Sequence, residues 1–486
     1  MSFGKIRFAA VPAFLLALVA CGGSSGSSED PSSGEESSAA PSSSTVSVSR
    51  SSSGRPSSSG SSSSALLSDS VSSSSESSSS AIPSMTALSP LAPTANTAYA
   101  ANAYTLWKGY HFATLESETS VYPSLAADFG DVFTAAYMPA ARVVWAAQSS
   151  GYYKNQCSVD DAAATTMKFR ACTVSEGVGL GMLLAYFNGD DDAFVQLWNY
   201  ARAYRAYEND GLMPQIVDSF HWNVVDDASA AGADQDIATA LILMYFKTSH
   251  AAYLQDALTI VNAIWDGEVD QTTKLLLPGD ADAWKGDNPV HSLGRFSPMA
   301  LRLFVRIDPS HDWQGVLDAM YAYLQLVQSK GTGVLPNWSD EDGNAAKPPE
   351  QPKDYYLFGD EALAVPWRVA WDWHWTLDSR AGAVLNALNA FITGESQNDP
   401  ESSALATAYS WNAAVGPDKV GTTVQHQQYA AWCATGMGGN AAWLSACTTG
   451  LNAKHPSNTT TSYFPDIMLA VHSALLNGLF VPPAGL

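Results

Sequence analysis

An all-α fold of stacked helical hairpins is the architecture this sequence predicts, and three observations carry it. From about residue 97 onward, apolar residues recur at helical spacing in one segment after another. Strand-type alternation is scarce over the same stretch. The loops between the helical segments are very unequal in length, which suits stacked hairpins better than a bundle joined by short turns.

The chain begins with a segment that reads as an export signal, residues 1–21. Lys5 and Arg7 form a basic region, an apolar run follows, and Leu18-Val19-Ala20-Cys21 closes it with small residues before a cysteine. This ending resembles a bacterial lipobox, which implies lipidation of Cys21 and a lipoprotein anchored in a membrane, most simply at the outer membrane or cell surface. The apolar run is too short to span a bilayer as a stable helix. Residues 22–95 are dominated by Ser and show no periodic apolar pattern. Such a stretch cannot bury enough surface to offset its ordering entropy, so a flexible tether is expected. Residues 96–486 are expected to form the folded domain.

The chain of 486 residues carries 24 Lys+Arg against 47 Asp+Glu, a net charge of −23. That balance argues against nucleic acid or an anionic membrane surface as a partner and suits neutral or cationic substrates. Aromatics reach 11%, with 15 Trp. Tryptophan fills cores, and it also stacks on the apolar faces of sugars. Besides Cys21, the cysteines fall into two near pairs, Cys157 with Cys172 and Cys433 with Cys447. In an exported protein these spacings imply two disulfides. No Cys or His neighbours have metal-ligand spacing, so neither a metal nor a cofactor is expected.

In order, helices are expected over residues 98–112, 177–186, 191–207, 234–246, 252–264, 298–305, 313–327, 365–375, 380–391, 403–411, 441–446 and 467–476, with a further short apolar run at 141–146. The second of these is the centre of the chain. Glu176 stands between Ser175, a plausible N-cap, and a run in which Met182, Leu183 and Tyr186 repeat at helical spacing. Gly177, Gly179 and Gly181 each cost about 1 kcal/mol of helix propensity against alanine, so close backbone approach is expected there. A carboxyl at the mouth of a buried helix is a candidate general acid, because burial keeps it protonated near neutral pH. A first-turn Glu also complements the helix dipole, and the residues alone leave both readings open. Three long loops, residues 209–233, 279–297 and 333–360, are rich in polar and aromatic side chains suited to sugars: His221 and Trp222, Trp284 and Asn288, Asn337, Trp338 and Tyr356.

Several segments taken together resemble glycoside hydrolase family 8. Thr173-Val174-Ser175-Glu176-Gly177 with Gly179, Gly181 and Met182 is similar to the family's Ser-Glu-Gly motif, which holds its general acid. Ala233-Asp234-Gln235-Asp236-Ile237-Ala238 resembles its Asp-Ala-Asp-x-Asp-Ile-Ala helix, and Pro366-Trp367-Arg368 resembles the Pro-Trp-Arg after its catalytic base. Asn288-Pro289 through Phe296-Ser297-Pro298, and Leu335-Pro336-Asn337-Trp338, match further landmarks in the family's order. The resemblance runs from about Trp107 to the C-terminus. It implies an (α/α)6 barrel with a glycan cleft across the helix ends. It also implies inverting hydrolysis of a β-1,4-linked glucan, mixed-linkage glucan, xylan or chitosan, with the polysaccharide as partner; a monomer is expected.

An inverting glycosidase needs one protonated and one ionised carboxyl group with a water between the base and the sugar. The resemblance makes Glu176 the acid. Glu361 is the first choice for the base and Asp360 the second; Asp234 holds the sugar or raises the acid's pKa, or else caps its helix. Substrate contacts are expected from Trp107, Gln215, Trp222, Trp284, Trp338, Tyr356 and Arg368, although Arg368 reads equally as a structural partner. The chain departs from the pattern at three places. Gly232 stands where the family has the first Asp of Asp-Ala-Asp. Residues 360–368 put Glu361 where the family has Asp, and Ala364 where it has Arg. Gln215 stands where the family tends to have a stacking Trp. These departures raise the alternative of a glycan-binding lipoprotein with weakened catalysis; a polysaccharide lyase on a similar barrel is a third reading, poorly served by the acidic charge.

Overall fold

The computed structural model describes residues 96–117, 132–145, 157, 172–208, 211–218, 224–286, 288–349, 353–412, 414, 418–453 and 462–486. The expected signal segment, Cys21 and the Ser-rich tether lie outside the described residues, as do His221 and Trp222.

The helices run as hairpins. They are α1 (Thr97–His111), α2 (Ser175–Asn188), α3 (Asp191–Glu208), α4 (Ala231–Thr248), α5 (Ala251–Gly267), α6 (Pro298–Ile307), α7 (Trp313–Lys330), α8 (Ala364–Thr376), α9 (Ser379–Ser396), α10 (His426–Thr435), α11 (Ala441–Ala453) and α12 (Tyr463–Leu476). Helix α2 packs on α4, α4 on α6, α6 on α8, α8 on α10, α10 on α12, and α12 back on α2, closing a ring. The partners α3, α5, α7, α9, α11 and α1 lie outside, each against at least one member of that ring. This is the (α/α)6 barrel, and the apolar pattern explains the layering. Helices α2, α4 and α12 are buried nearly all round, as a helix without a polar face must be. Much of the tryptophan load goes into this interior: Trp107, Trp313, Trp367, Trp371 and Trp375 are among the largest fully buried side chains.

The α2–α4 contact explains a glycine. A Cβ on Gly179 would lie 2.8 Å from the Ala233 carbonyl oxygen and 2.9 Å from the Asp236 Cβ. Gly179→Ala is therefore expected to lower stability by about 1–3 kcal/mol, the usual range for overpacking, read as a shift in denaturation midpoint at unchanged slope.

Short strands tie the loops at one end of the barrel. Strand β1 (Phe112–Thr114) pairs antiparallel with β2 (Ala141–Val143), and β3 (Thr173–Val174), β4 (Ile216–Val217) and β5 (Val224–Asp226) form a second sheet. Strand β6 (Val290–Ser292) pairs with β7 (Trp338–Asp340), and β8 (Leu357–Phe358) with β9 (Ala408–Ser410), which also pairs with β10 (Lys419–Val420). Both expected disulfides are present, Cys157–Cys172 and Cys433–Cys447, with Cα separations of 5.0 and 5.2 Å.

The structure adds to or corrects the local expectations at five points. The apolar run at 141–146 contributes strand β2, because β1 offers it a pairing edge. Residues 403–411 form turns and strand β9 rather than a helix, since β8 and β10 flank them. Helix α10 was not anticipated; its Gln427 and Gln428 are buried, so no apolar periodicity announces it. The helix caps also differ. Val174, not Ser175, precedes α2, and the Ser175 hydroxyl is buried without a partner. Helix α4 starts at Ala231, so Asp234 sits inside its first turn.

Candidate active site

A cleft of about 640 Å³ opens at the end of the barrel where the strands lie. Its walls include Glu176, Gln215, Arg295, Asp360, Glu361 and Arg368, with Gly232, Ala364, Trp367 and Phe464 between them.

Glu176 occupies the first turn of α2, directly after β3. The Ser175 amide donates to the Gln215 carbonyl at 3.0 Å, and the Gln215 amide donates to the Ala228 carbonyl at 2.7 Å. The acidic side chain is thus held by a backbone ladder rather than by a lone loop. Burial pushes its pKa up to about 7, helped by the Glu361 charge and opposed by Arg295 and Arg368. A protonated carboxyl at neutral pH is what a general acid requires. Burial, with the Glu176 carboxyl beside it, pushes the Tyr463 hydroxyl well above the usual phenol range.

Asp360 and Glu361 lie in a turn between β8 and α8. Neither belongs to the helix, and α8 has no side-chain cap, so Asp360 does not cap it. The turn is clamped by Asn337, buried at 2% exposure. Its Oδ1 accepts from the Gly359 amide at 3.2 Å and the Ala362 amide at 3.0 Å, and its Nδ2 donates to the Asp354 carbonyl at 3.1 Å. Both residues line the cleft. Their surroundings differ. Burial raises Glu361, while Arg295 and a hydrogen bond from the Ser292 hydroxyl at 3.1 Å oppose the rise. Burial raises Asp360 to about 7, and Asp354 and Glu361 push the same way. Of the two, Glu361 has the environment that favours the ionised form.

Arg368 lines the cleft, and its Nη1 and Nη2 donate to the two Asp236 oxygens at 2.6 and 2.7 Å. Asp236 is fully buried, and both members of this pair act on the Glu176 carboxyl. Asp234 is also fully buried and does not line the cleft; its Oδ1 accepts from the Met213 amide at 3.2 Å. Trp107 is 1% exposed within the main core. Trp284 and Trp338 stack at 5.8 Å in a second, smaller core, at 3% and 1% exposure. They stiffen the loops and leave no open face for a sugar. Tyr356 is half-buried outside this cleft. Sequence reasoning passed over Ser292, Arg295, Asp236 and Tyr463. Ser292 and Arg295 sit in the polar loop 279–297 that had been singled out, but charge alone did not distinguish Arg295 there.

Comparison with known proteins adds a second line. The sequence profile described as glycosyl hydrolases family 8 matches residues 123–431. Endoglucanase A of Acetivibrio thermocellus is 31% identical over 229 residues, covering 45% of this chain and 46% of that protein. The Beta-glucanase of Niallia circulans is 29% identical over 261 residues, 50% of this chain and 63% of that protein. The chain thus spans about half to two thirds of the length of these relatives. Among solved structures, a beta-1,3-1,4-glucanase from Paenibacillus sp. X4 superposes with a TM-score of 0.56 at 23% identity, covering 74% of this chain and 93% of that one. The reducing-end xylose-releasing exo-oligoxylanase of Paenibacillus barcinonensis does so with a TM-score of 0.55 at 17% identity, covering 78% and 99%. At these identities the superpositions speak for the fold.

Proposed function

The chain belongs to glycosyl hydrolases family 8, and from that premise we propose that it hydrolyses internal β-1,4-glycosidic bonds of a plant-cell-wall-type polysaccharide, β-glucan, cellulose or xylan, with inversion. The observation that carries the reading is the pairing of Glu176 and Glu361 in one cleft, the first protonated up to about 7 and the second beside Arg295 and Ser292. Glu176 gives its proton to the leaving glycosidic oxygen. Glu361 takes a proton from the water that attacks the anomeric carbon from the opposite side. Arg368 and Asp236 act on the Glu176 carboxyl, and no step needs a cofactor. A weakened binding lipoprotein finds no support in a cleft that keeps both carboxyl groups.

The test is reducing-sugar release and product analysis on barley β-glucan, carboxymethyl-cellulose, xylan and chitosan side by side. Internal cleavage giving inverted ends on a glucan or xylan is expected. Binding without release on all four would overturn the reading.

The place of action is part of the same proposal. Leu18-Val19-Ala20-Cys21 supports a lipid anchor, and the Ser-rich stretch supports a tether holding the barrel off the membrane. Cys21→Ser is expected to move the protein from the membrane fraction to the soluble fraction at unchanged specific activity. Membrane association that survives the substitution counts against the anchor.

A further inference from the structure

Glu361 needs a cation to stay charged in a cleft that burial makes hostile to charge, and the helix that follows it, α8, does not supply one. Position 364, one turn on, is alanine, and both Nη groups of Arg368 are engaged by Asp236. The guanidinium that reaches Glu361 comes from elsewhere. Arg295 Nε lies 4.0 Å from Glu361 Oε2, with the two side chains 14% and 18% exposed.

Arg295 is held on several sides. Its Nη1 donates to the Pro278 carbonyl at 2.7 Å, and the guanidinium carbon sits 5.9 Å from the centre of the Trp338 ring. Its stem packs over Gly232, where an added Cβ would meet Arg295 carbons at 3.4 Å. The fully buried Gln235 pins the backbone: its Nε2 donates to the Arg295 carbonyl at 2.9 Å, and its Oε1 accepts from the Ser297 amide at 3.1 Å. Gly294 lets this loop press on the turn that carries the base, because any side chain there would collide with the Glu361 carbonyl oxygen. Planar, fixed guanidinium groups suit such a role better than a flexible ammonium.

We propose that Arg295, clamped by Pro278, Trp338 and Gln235, is the positioning residue of this cleft, orienting the Glu361 carboxylate and serving Glu176 from the same point. The inference rests on the reading of Glu361 as base. Other groups also act on these carboxyls. Asp354 raises Glu361, and Glu361 raises Asp360. Arg368, Asp236 and Tyr463 face Glu176. Glu268, behind the wall, also feels Arg295. None of these places a cation on Glu361. Because Arg295 lowers both Glu361 and Glu176, removing it raises both.

The experiment is the pH dependence of kcat/KM on barley β-glucan for the full chain, in which the acidic limb reports the base and the basic limb the acid. Arg295→Gln is expected to move both limbs to higher pH by about one unit, so that activity at pH 5 falls about tenfold and recovers in part above pH 7. Arg295→Lys keeps the charge on a compact head and should move them the same way by about half as much. Circular dichroism identifies which variants fold. A bell that only loses height, with unmoved limbs in every folded variant, overturns the proposal, since a merely structural arginine would do that. Glu361→Gln is measured alongside. If it stays active, the base assignment fails; if it is dead and the Arg295 limbs do not move, only the present inference fails.

Discussion

Glu176→Gln is expected to cut turnover on natural glycan by about 10²–10⁴-fold, the usual contribution of a positioned general acid. The substitution removes a proton donor and almost no volume. The backbone that presents it, Ser175 on Gln215 and β3 on β4, does not involve the side chain, so the fold should survive. Substrates with a very good leaving group should lose far less, because they need little protonation. The wild type should itself lose kcat/KM as pH rises past about 7, where Glu176 gives up its proton. Stability provides an independent check with a definite sign. The folded pKa of about 7 lies above the 4.5 of an ordinary glutamate, so the unfolded chain releases this proton first. The stability contribution is fully present below about 4.5 and is lost as pH rises through 7. Gln has no proton to lose. Glu176→Gln should therefore gain on the wild type as pH rises, by on the order of 3 kcal/mol at pH 8. Near-normal turnover on β-glucan would rule Glu176 out as the acid, whatever the stability data say.

Much of the barrel was legible because most of its helices bury a continuous apolar face, and 3.6-residue periodicity reports burial directly. The expected helices at 191–207, 313–327 and 365–375 are found within a few residues as α3, α7 and α8. Where tertiary contacts decide, the signal fails. Strand β9 exists because β8 and β10 lie beside it, and α10 hides its burial behind glutamines. The site divides in the same way. Glu176 stood out because a carboxyl at the mouth of an apolar run is a local oddity. Trp107, Trp284 and Trp338 misled, because an aromatic suited to sugar is equally suited to a core, and only packing distinguishes the two. Arg295 was invisible as a partner of Glu361 because 66 residues separate them.

Glu361→Ala is expected to abolish hydrolysis, and added azide should restore cleavage with inverted product. The base does one thing: it draws a proton from water as the water's oxygen bonds to the anomeric carbon. Azide carries its own electron pair and needs no deprotonation. It bonds to that carbon from the side the water would have used, while the glycosidic C–O bond breaks and Glu176 protonates the departing oxygen. Alanine at 361 leaves space on that side. Asp360→Ala removes a carboxyl from the same turn, but one that burial and Asp354 push to about 7 and that no cation or hydroxyl is shown to support. It lacks the Arg295 and Ser292 partners that hold the Glu361 carboxylate, and it does not cap α8. Asp360→Ala should keep most activity and should not respond to azide. Glycosyl azide detected by mass spectrometry in Glu361→Ala alone would fix the assignment. If the two variants exchange behaviours, Asp360 is the base and Arg295 supports a bystander. If neither variant slows cleavage, the water is activated from another wall of the cleft, and residues 333–358 become the place to search.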